Sequence, residues 1–203
     1  MNIKEYGLLY WSVVGVLALL VASPFLSRVL IYPRTEFFTE LWILDADHRA
    51  EDYPFNITRN ENYNIYLGIG NRLGYCAYYM VQVKFRNQTQ PAPTSFGPIE
   101  KRTPSSLQSL CNFTVFVADE SVWETPLTFS LDYRENASKV EMNSLVLNGL
   151  SLNLNNQVIA WNSSRNGYYG FLFFELWLYN GTSEKFEYHD RFVGLWLNMT
   201  IQQ

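Results

Sequence analysis

The chain has 203 residues, a formal net charge of −4 and a pI near 5.2, with Lys and Arg scattered along it. That balance excludes a nucleic-acid partner, which needs a clustered basic face. Charged and aromatic residues each make up 17% of the chain, which suits a β-rich domain with Tyr and Trp on its strands better than a helical bundle.

The first predicted element is residues 7–27 (GLLYWSVVGVLALLVASPFLS), 21 residues without a charge. A helix of that length spans roughly 31 Å, the thickness of a bilayer's hydrocarbon core. The expected organisation is a short tail over residues 1–6, a transmembrane anchor over 7–32 and an extracytoplasmic domain over 35–203. A cleaved signal peptide and a buried core helix are the competing readings. Ala22 and Ser23 offer small residues for cleavage, but Pro24 follows directly and the apolar run continues. Pro24 should kink the helix or mark its end, because it removes a backbone donor. Tyr10, Trp11 and Tyr32 lie where amphipathic rings meet a membrane surface. Lys4 on one side and Arg28 and Arg34 on the other lean toward a cytoplasmic C-terminus.

Beyond residue 35 the pattern has period two. Residues 37–44 form a strand, and residues 52–58 a short edge segment interrupted by Pro54. In residues 63–69, Tyr63, Ile65, Leu67 and Ile69 share one face. In residues 75–86, Tyr79, Val81, Val83 and Phe85 point inward while Gln82, Lys84 and Arg86 point out to solvent. Residues 87–104 carry four Pro and read as a surface loop, with a turn of helix expected over 107–110. Strands follow at 111–117 and 127–133. A weaker strand-turn-strand pattern covers 140–156. Residues 168–179 are apolar on both faces and belong in the middle of a sheet. Residues 192–200 close the chain. About eight strands without βαβ alternation predict an all-β, immunoglobulin-like antiparallel sandwich. Trp42, Trp177 and Trp196 are read as core or sheet-face filling.

Two features pull the opposite way from the flanking charges and lead to the expectation of a domain outside the cell. The first is seven Asn-x-Ser/Thr sequons, at Asn56, Asn87, Asn112, Asn136, Asn162, Asn180 and Asn198. With 18 Asn and 26 Ser or Thr in 203 residues, chance would supply about two. These are candidate acceptors for N-linked glycans. Asn112 and Asn198 fall inside apparent strands and are expected to be modified less readily than Asn87 or Asn162. The second is the cysteine pair, Cys76 and Cys111, expected to form one disulfide, with two buried free thiols as the alternative.

At residues 36–58 (EFFTELWILDADHRAEDYPFNIT) and the following YNIYLGIGN the chain resembles an archaeal membrane-protein family of uncharacterised function, domain of unknown function 1616. The shared segments are Phe38-Thr39-Glu40, AEDYP-x-N-x-T at residues 50–58 and the Ile65 to Asn71 strand. ADESVWETPLTF (residues 118–129) and FELWLYN (residues 174–180) also fit. The resemblance implies an immunoglobulin-like domain on the outer face of an archaeal membrane. It supplies no catalytic residue.

No catalytic, cofactor or metal site is expected. Asp45, Asp47, His48 and Glu51 form the most polar cluster, yet a calcium loop would also need a Gly turn, so a solvated turn is the plainer reading. Asp119, Glu120 and Glu124 read the same way. Glu175, between Phe173 and Trp177, needs a partner if it is buried; a solvent-facing position is the simpler expectation. The overall expectation is a non-catalytic, single-pass surface or accessory subunit that binds lipid through its helix and a protein of an envelope or membrane complex through its sandwich. A carbohydrate-binding or surface-layer module is the alternative, and exposed rings gathered on one sheet face would mark it.

Overall fold

The computed structural model describes residues 3–29, 36–94, 98, 101–136 and 139–201, without the side chains of residues 3–5, 8–9, 25–29 and 156. Residues 30–32 of the expected anchor, Tyr32 among them, lie outside the described residues. So do Arg34, both chain ends, residues 95–97 and 99–100 of the Pro-rich loop, and residues 137–138 of the Asn136 sequon. Two compact units emerge, Met1–Phe37 and Phe38–Gln203.

The first unit is a single helix, α1 (Ile3–Val29, 27 residues). Pro24 does not end it; the helix continues to Val29. Its apolar side chains are solvent-exposed, from Trp11 at 71% through Val16 at 58% to Val21 at 71%. Among the described residues no helix is long and apolar enough to cross a membrane.

The second unit is a sandwich of two five-stranded sheets. The strands are β1 (Phe38–Leu44), β2 (Asn56–Ile57), β3 (Tyr63–Arg72), β4 (Ala77–Arg86), β5 (Cys111–Val117), β6 (Val122–Asn136), β7 (Lys139–Leu147), β8 (Leu150–Ala160), β9 (Tyr169–Asn180) and β10 (Lys185–Met199). Sheet A runs β1-β3-β6-β7-β8 and sheet B runs β2-β10-β9-β4-β5. All pairings are antiparallel except the short contact of β2 with β10. Period-two alternation builds the core. Ile65, Leu67 and Ile69 of β3 are fully buried, as are Tyr79, Val81 and Val83 of β4 and Leu172, Phe174 and Leu176 of β9. Each such side chain contributes roughly 1.5–3 kcal/mol by leaving water.

The sandwich architecture is as expected, but the connectivity departs from an immunoglobulin domain at one place. Such domains set strands A, B, E and D in one sheet and C, F and G in the other. Here β6 sits beside β3, where E would sit, and β7 and β8 then follow it in the chain, whereas D precedes E. The local reason is the Asn148 and Gly149 turn. Both residues have positive φ, 47° and 82°, which makes a tight two-residue hairpin whose twist matches the strands. Residues 107–110 form no helix.

Tyr133 of β6 ties the unit shut. Its hydroxyl lies 2.7 Å from both the Ile57 and the Thr200 carbonyl oxygens.

The expected disulfide is not formed: Cys76 is an exposed free thiol and Cys111 a half-buried one. The register explains this. Cys76 precedes Ala77, which pairs with Val117, while Cys111 pairs with Val83. Seven residues of strand separate the two levels, roughly 23 Å, whereas a disulfide needs Cα atoms within about 7 Å.

Candidate functional site

The outer face of sheet B is the most unusual surface of the sandwich, because alternation puts rings on both faces of β9. Leu172, Phe174 and Leu176 enter the core, so Phe171, Phe173, Glu175, Trp177 and Tyr179 point outward. Cross-strand pairing sets Trp196 beside Phe171, Phe192 beside Glu175, Tyr188 beside Trp177 and Phe186 beside Tyr179. On the other side β4 sets Lys84 beside Phe173 and Gln82 beside Glu175.

The connection between β4 and β5 divides this face. Residues around Ser105 sit on its lower half. The Lys84 ammonium donates to Glu175 Oε2 at 2.8 Å and to the Ser105 carbonyl at 2.9 Å. The Ser105 amide donates to Glu175 Oε1 at 2.7 Å, and the Ser105 hydroxyl to the Pro91 carbonyl at 3.0 Å. Lys84 is 3% and Glu175 0% exposed. This corrects the expectation that both face solvent: they do point away from the core, but the loop covers them. Arg86 lies over the rings of Phe171 and Trp196 at 5.4 and 5.0 Å, a cation–π arrangement. Burial lowers its guanidinium pKa.

The upper half is open. Tyr78 of β4 and Phe116 of β5 stack at 4.0 Å between centroids with an 8° interplanar angle. Phe186 and Tyr179 close on Tyr78 at 5.1 and 5.9 Å. Phe116 is 68% and Tyr179 39% exposed. Between the two halves Trp177 and Tyr188 meet edge to face at 5.7 Å. Burial, and then the charges of Glu175 and Asp190, hold the Tyr188 hydroxyl well above the usual phenol range.

A second polar cluster joins the two sheets at one end. A β-bulge between Tyr188 and Arg191 turns His189 inward, and His189 Nε2 lies 2.8 Å from the Thr39 hydroxyl. Thr39 and the Tyr79 hydroxyl are 2.9 Å apart, and Tyr79 donates to Asn71 Oδ1 at 3.3 Å. Asn71 Nδ2 donates to the Tyr75 and Val117 carbonyls at 2.7 and 2.8 Å. Thr39, Asn71 and Tyr79 are fully buried. Burial, with the Arg191 charge second, pushes His189 down to about 4.

The remaining acidic clusters are wiring. Asp45 Oδ1 accepts from the amides of Asp47 and Arg49 at 2.9 and 2.7 Å, closing its own turn. His48 lies against Tyr66 and 3.0 Å from Glu124, which also accepts from Trp42 Nε1 at 3.3 Å. Asp119 accepts from the Gly74 amide. No group of three metal-ligating side chains gathers among the described residues.

The sequons differ in how their amide nitrogen is engaged. Asn87 Nδ2 donates to the Val158 carbonyl, Asn136 Nδ2 to Glu141, Asn180 Nδ2 to Glu187 and Asn198 Nδ2 to Asn56. Asn162 is bound only through its oxygen, by Ser164 and Arg165, and Asn56 only through its oxygen, by Asn198. Asn112 is exposed on the outer face of β5, the edge strand of its sheet.

Against known proteins, one family model matches, described as Domain of unknown function (DUF1616), over residues 33–155. That is 123 of 203 residues. The chain belongs to this family. Within the matched residues several polar side chains have structural roles. Thr39 and Asn71 build the buried network, Asp45 closes a turn, and the Tyr53 hydroxyl of the AEDYP segment donates to the Ile43 carbonyl at 2.7 Å. No curated protein matches the chain by sequence. Among solved structures, two of β-glucosidase from Listeria innocua, with isofagomine and with glucose, are similar at 10% identity with TM-scores of 0.35 and 0.36. The alignments cover 83% and 82% of this chain but 17% of the glucosidase chain.

Proposed function

We propose that this DUF1616 chain is a non-catalytic, single-pass surface subunit. Helix α1 anchors it, the sandwich faces the outside of the cell, and the open ring cluster of sheet B binds a protein of the same envelope or membrane complex. The observation that carries this reading is the contiguous ring cluster of Tyr78, Phe116, Tyr179 and Phe186, in which Phe116 and Tyr179 are exposed and Tyr78 and Phe186 half-buried. The anchor is supported by 21 uncharged residues over 7–27 and by apolar side chains exposed along the helix. The outward orientation is supported by the seven sequons; an archaeal cell is what the family resemblance implies.

Carbohydrate binding is the second reading, favoured by the ring cluster itself. It ranks lower because the Tyr78–Phe116 stack takes up one face of each ring, and a sugar stacks on an open ring face.

The test is gentle purification of the full chain from its own membrane, beside a Phe116→Ser and Tyr179→Ser double variant. The expected result is that alkaline carbonate fails to extract either protein, and that a stoichiometric protein partner leaves with the variant's lost rings. Release by carbonate would remove the anchor. A glycan-array signal abolished in the variant, with no protein partner, would make the site a lectin surface.

A further inference from the structure

Edge strands carry unpaired backbone groups, and proteins guard them with charges, Pro, bulges or brevity. Three of the four sheet edges here are guarded. β1 carries Glu40 in mid-strand, 3.8 Å from Arg72. β2 is two residues long. β8 is broken by an irregular register opposite Met142 and Ser144, with Asn155 at φ 53°. The fourth edge, β5 (CNFTVFV), has no charge, no Pro, no Gly and an unbroken seven-residue register with β4. Its inner face is apolar and incompletely covered, and its outer face carries Asn112, Thr114 and Phe116, all exposed. Phe113 and Val115 pack only partly against the core, and Phe116 stands 68% exposed on the other face.

We infer that β5 is a self-association edge: two copies of the chain pair β5 with β5 antiparallel across a two-fold axis, joining their B sheets into one. This goes beyond the proposed function and does not depend on it, since an unanchored domain would pair in the same way. The occupant follows from charge and symmetry. A two-fold axis sets a strand against itself, so any charged residue near its centre would face a like charge; β5 has none to face. Pairing all seven residues puts the axis at Thr114. Phe113 then lies opposite Val115 of the second copy, and Asn112 opposite Phe116 of the second copy. The half-covered inner face is completed, and Asn112 is left without room for a glycan.

The experiment uses the full chain in detergent. Light scattering on a sizing column should give twice the 23.7 kDa protein mass. Thr114→Lys places two ammonium groups across the axis and should weaken the dimer tenfold or more. Thr114→Cys places two thiols across a cross-strand spacing of about 5 Å, within disulfide reach, and should form a linked dimer under mild oxidant. Wild type should not link, because Cys111 faces Val117 of the second copy and Cys76 lies outside β5. A monomeric wild type, a dimer that survives Thr114→Lys, an unlinked Thr114→Cys, or a glycan on Asn112 of the dimer would each overturn the inference. The linking result stands even if Thr114→Lys misfolds.

Discussion

Glu175 is the residue whose environment differs most from its sequence context. Period two alone sets it outward, between Phe173 and Trp177. The sequence does not show that Ser105, 70 residues earlier in the chain, brings an amide and a carbonyl down onto it and Lys84. The pair is sealed in a patch where charges cannot be left single. Glu175→Ala should therefore cost about 3–5 kcal/mol, because it strands the Lys84 ammonium with one carbonyl. Lys84→Met combined with Glu175→Leu should recover most of that loss, since replacing both charges by apolar groups removes the desolvation cost as well. Urea unfolding of the three proteins checks this; a double variant as weak as the single one would show that the pair itself, and not its completeness, stabilises the site.

Most elements were legible because alternation is a local property. Ile65, Leu67 and Ile69, and likewise Val81 and Val83, are buried as their spacing predicts. The central place of β9 followed from apolar residues on both of its faces. The extent of β6 and β10 did not. Each is a 15-residue strand, and β10 begins at Lys185, ahead of the expected start at 192, and passes through a bulge between Tyr188 and Arg191. The pairing of β1 with β3 shows how register decides a residue. Trp42 lies opposite Gly68, and a Cβ on Gly68 would run into the indole. The glycine is therefore there for close approach. Gly68→Ala should displace Trp42 from Glu124, cost about 1–3 kcal/mol by overpacking, and shift the tryptophan emission. Unchanged emission and an unchanged unfolding midpoint would show that a Cβ fits at Gly68 without moving the indole, and would overturn the close-approach reading.

For the whole molecule, the chain from His189 through Thr39 and Tyr79 to Asn71 links β10 and β4 of one sheet to β1 and β3 of the other. His189 titrates near 4 when folded and near 6.5 when unfolded. The unfolded chain therefore takes up the proton first as pH falls. The resulting stabilisation is complete above about pH 6.5 and is lost progressively toward pH 4, by about 3 kcal/mol at most. His189→Gln should flatten that part of the stability curve, measured as urea midpoints between pH 7 and 4; an unchanged slope would assign it to other groups. The sequence by itself determined the all-β class, the core positions and the family, because these rest on periodicity and on short motifs. Only the tertiary structure decided that Cys76 and Cys111 stand apart, that Lys84 and Glu175 are buried together, that four rings gather at one end of a sheet with Phe116 and Tyr179 exposed, and that β5 is an uncharged edge. Each depends on which strand lies beside which, and strand order is set by contacts between residues far apart in the chain, which a local pattern does not encode.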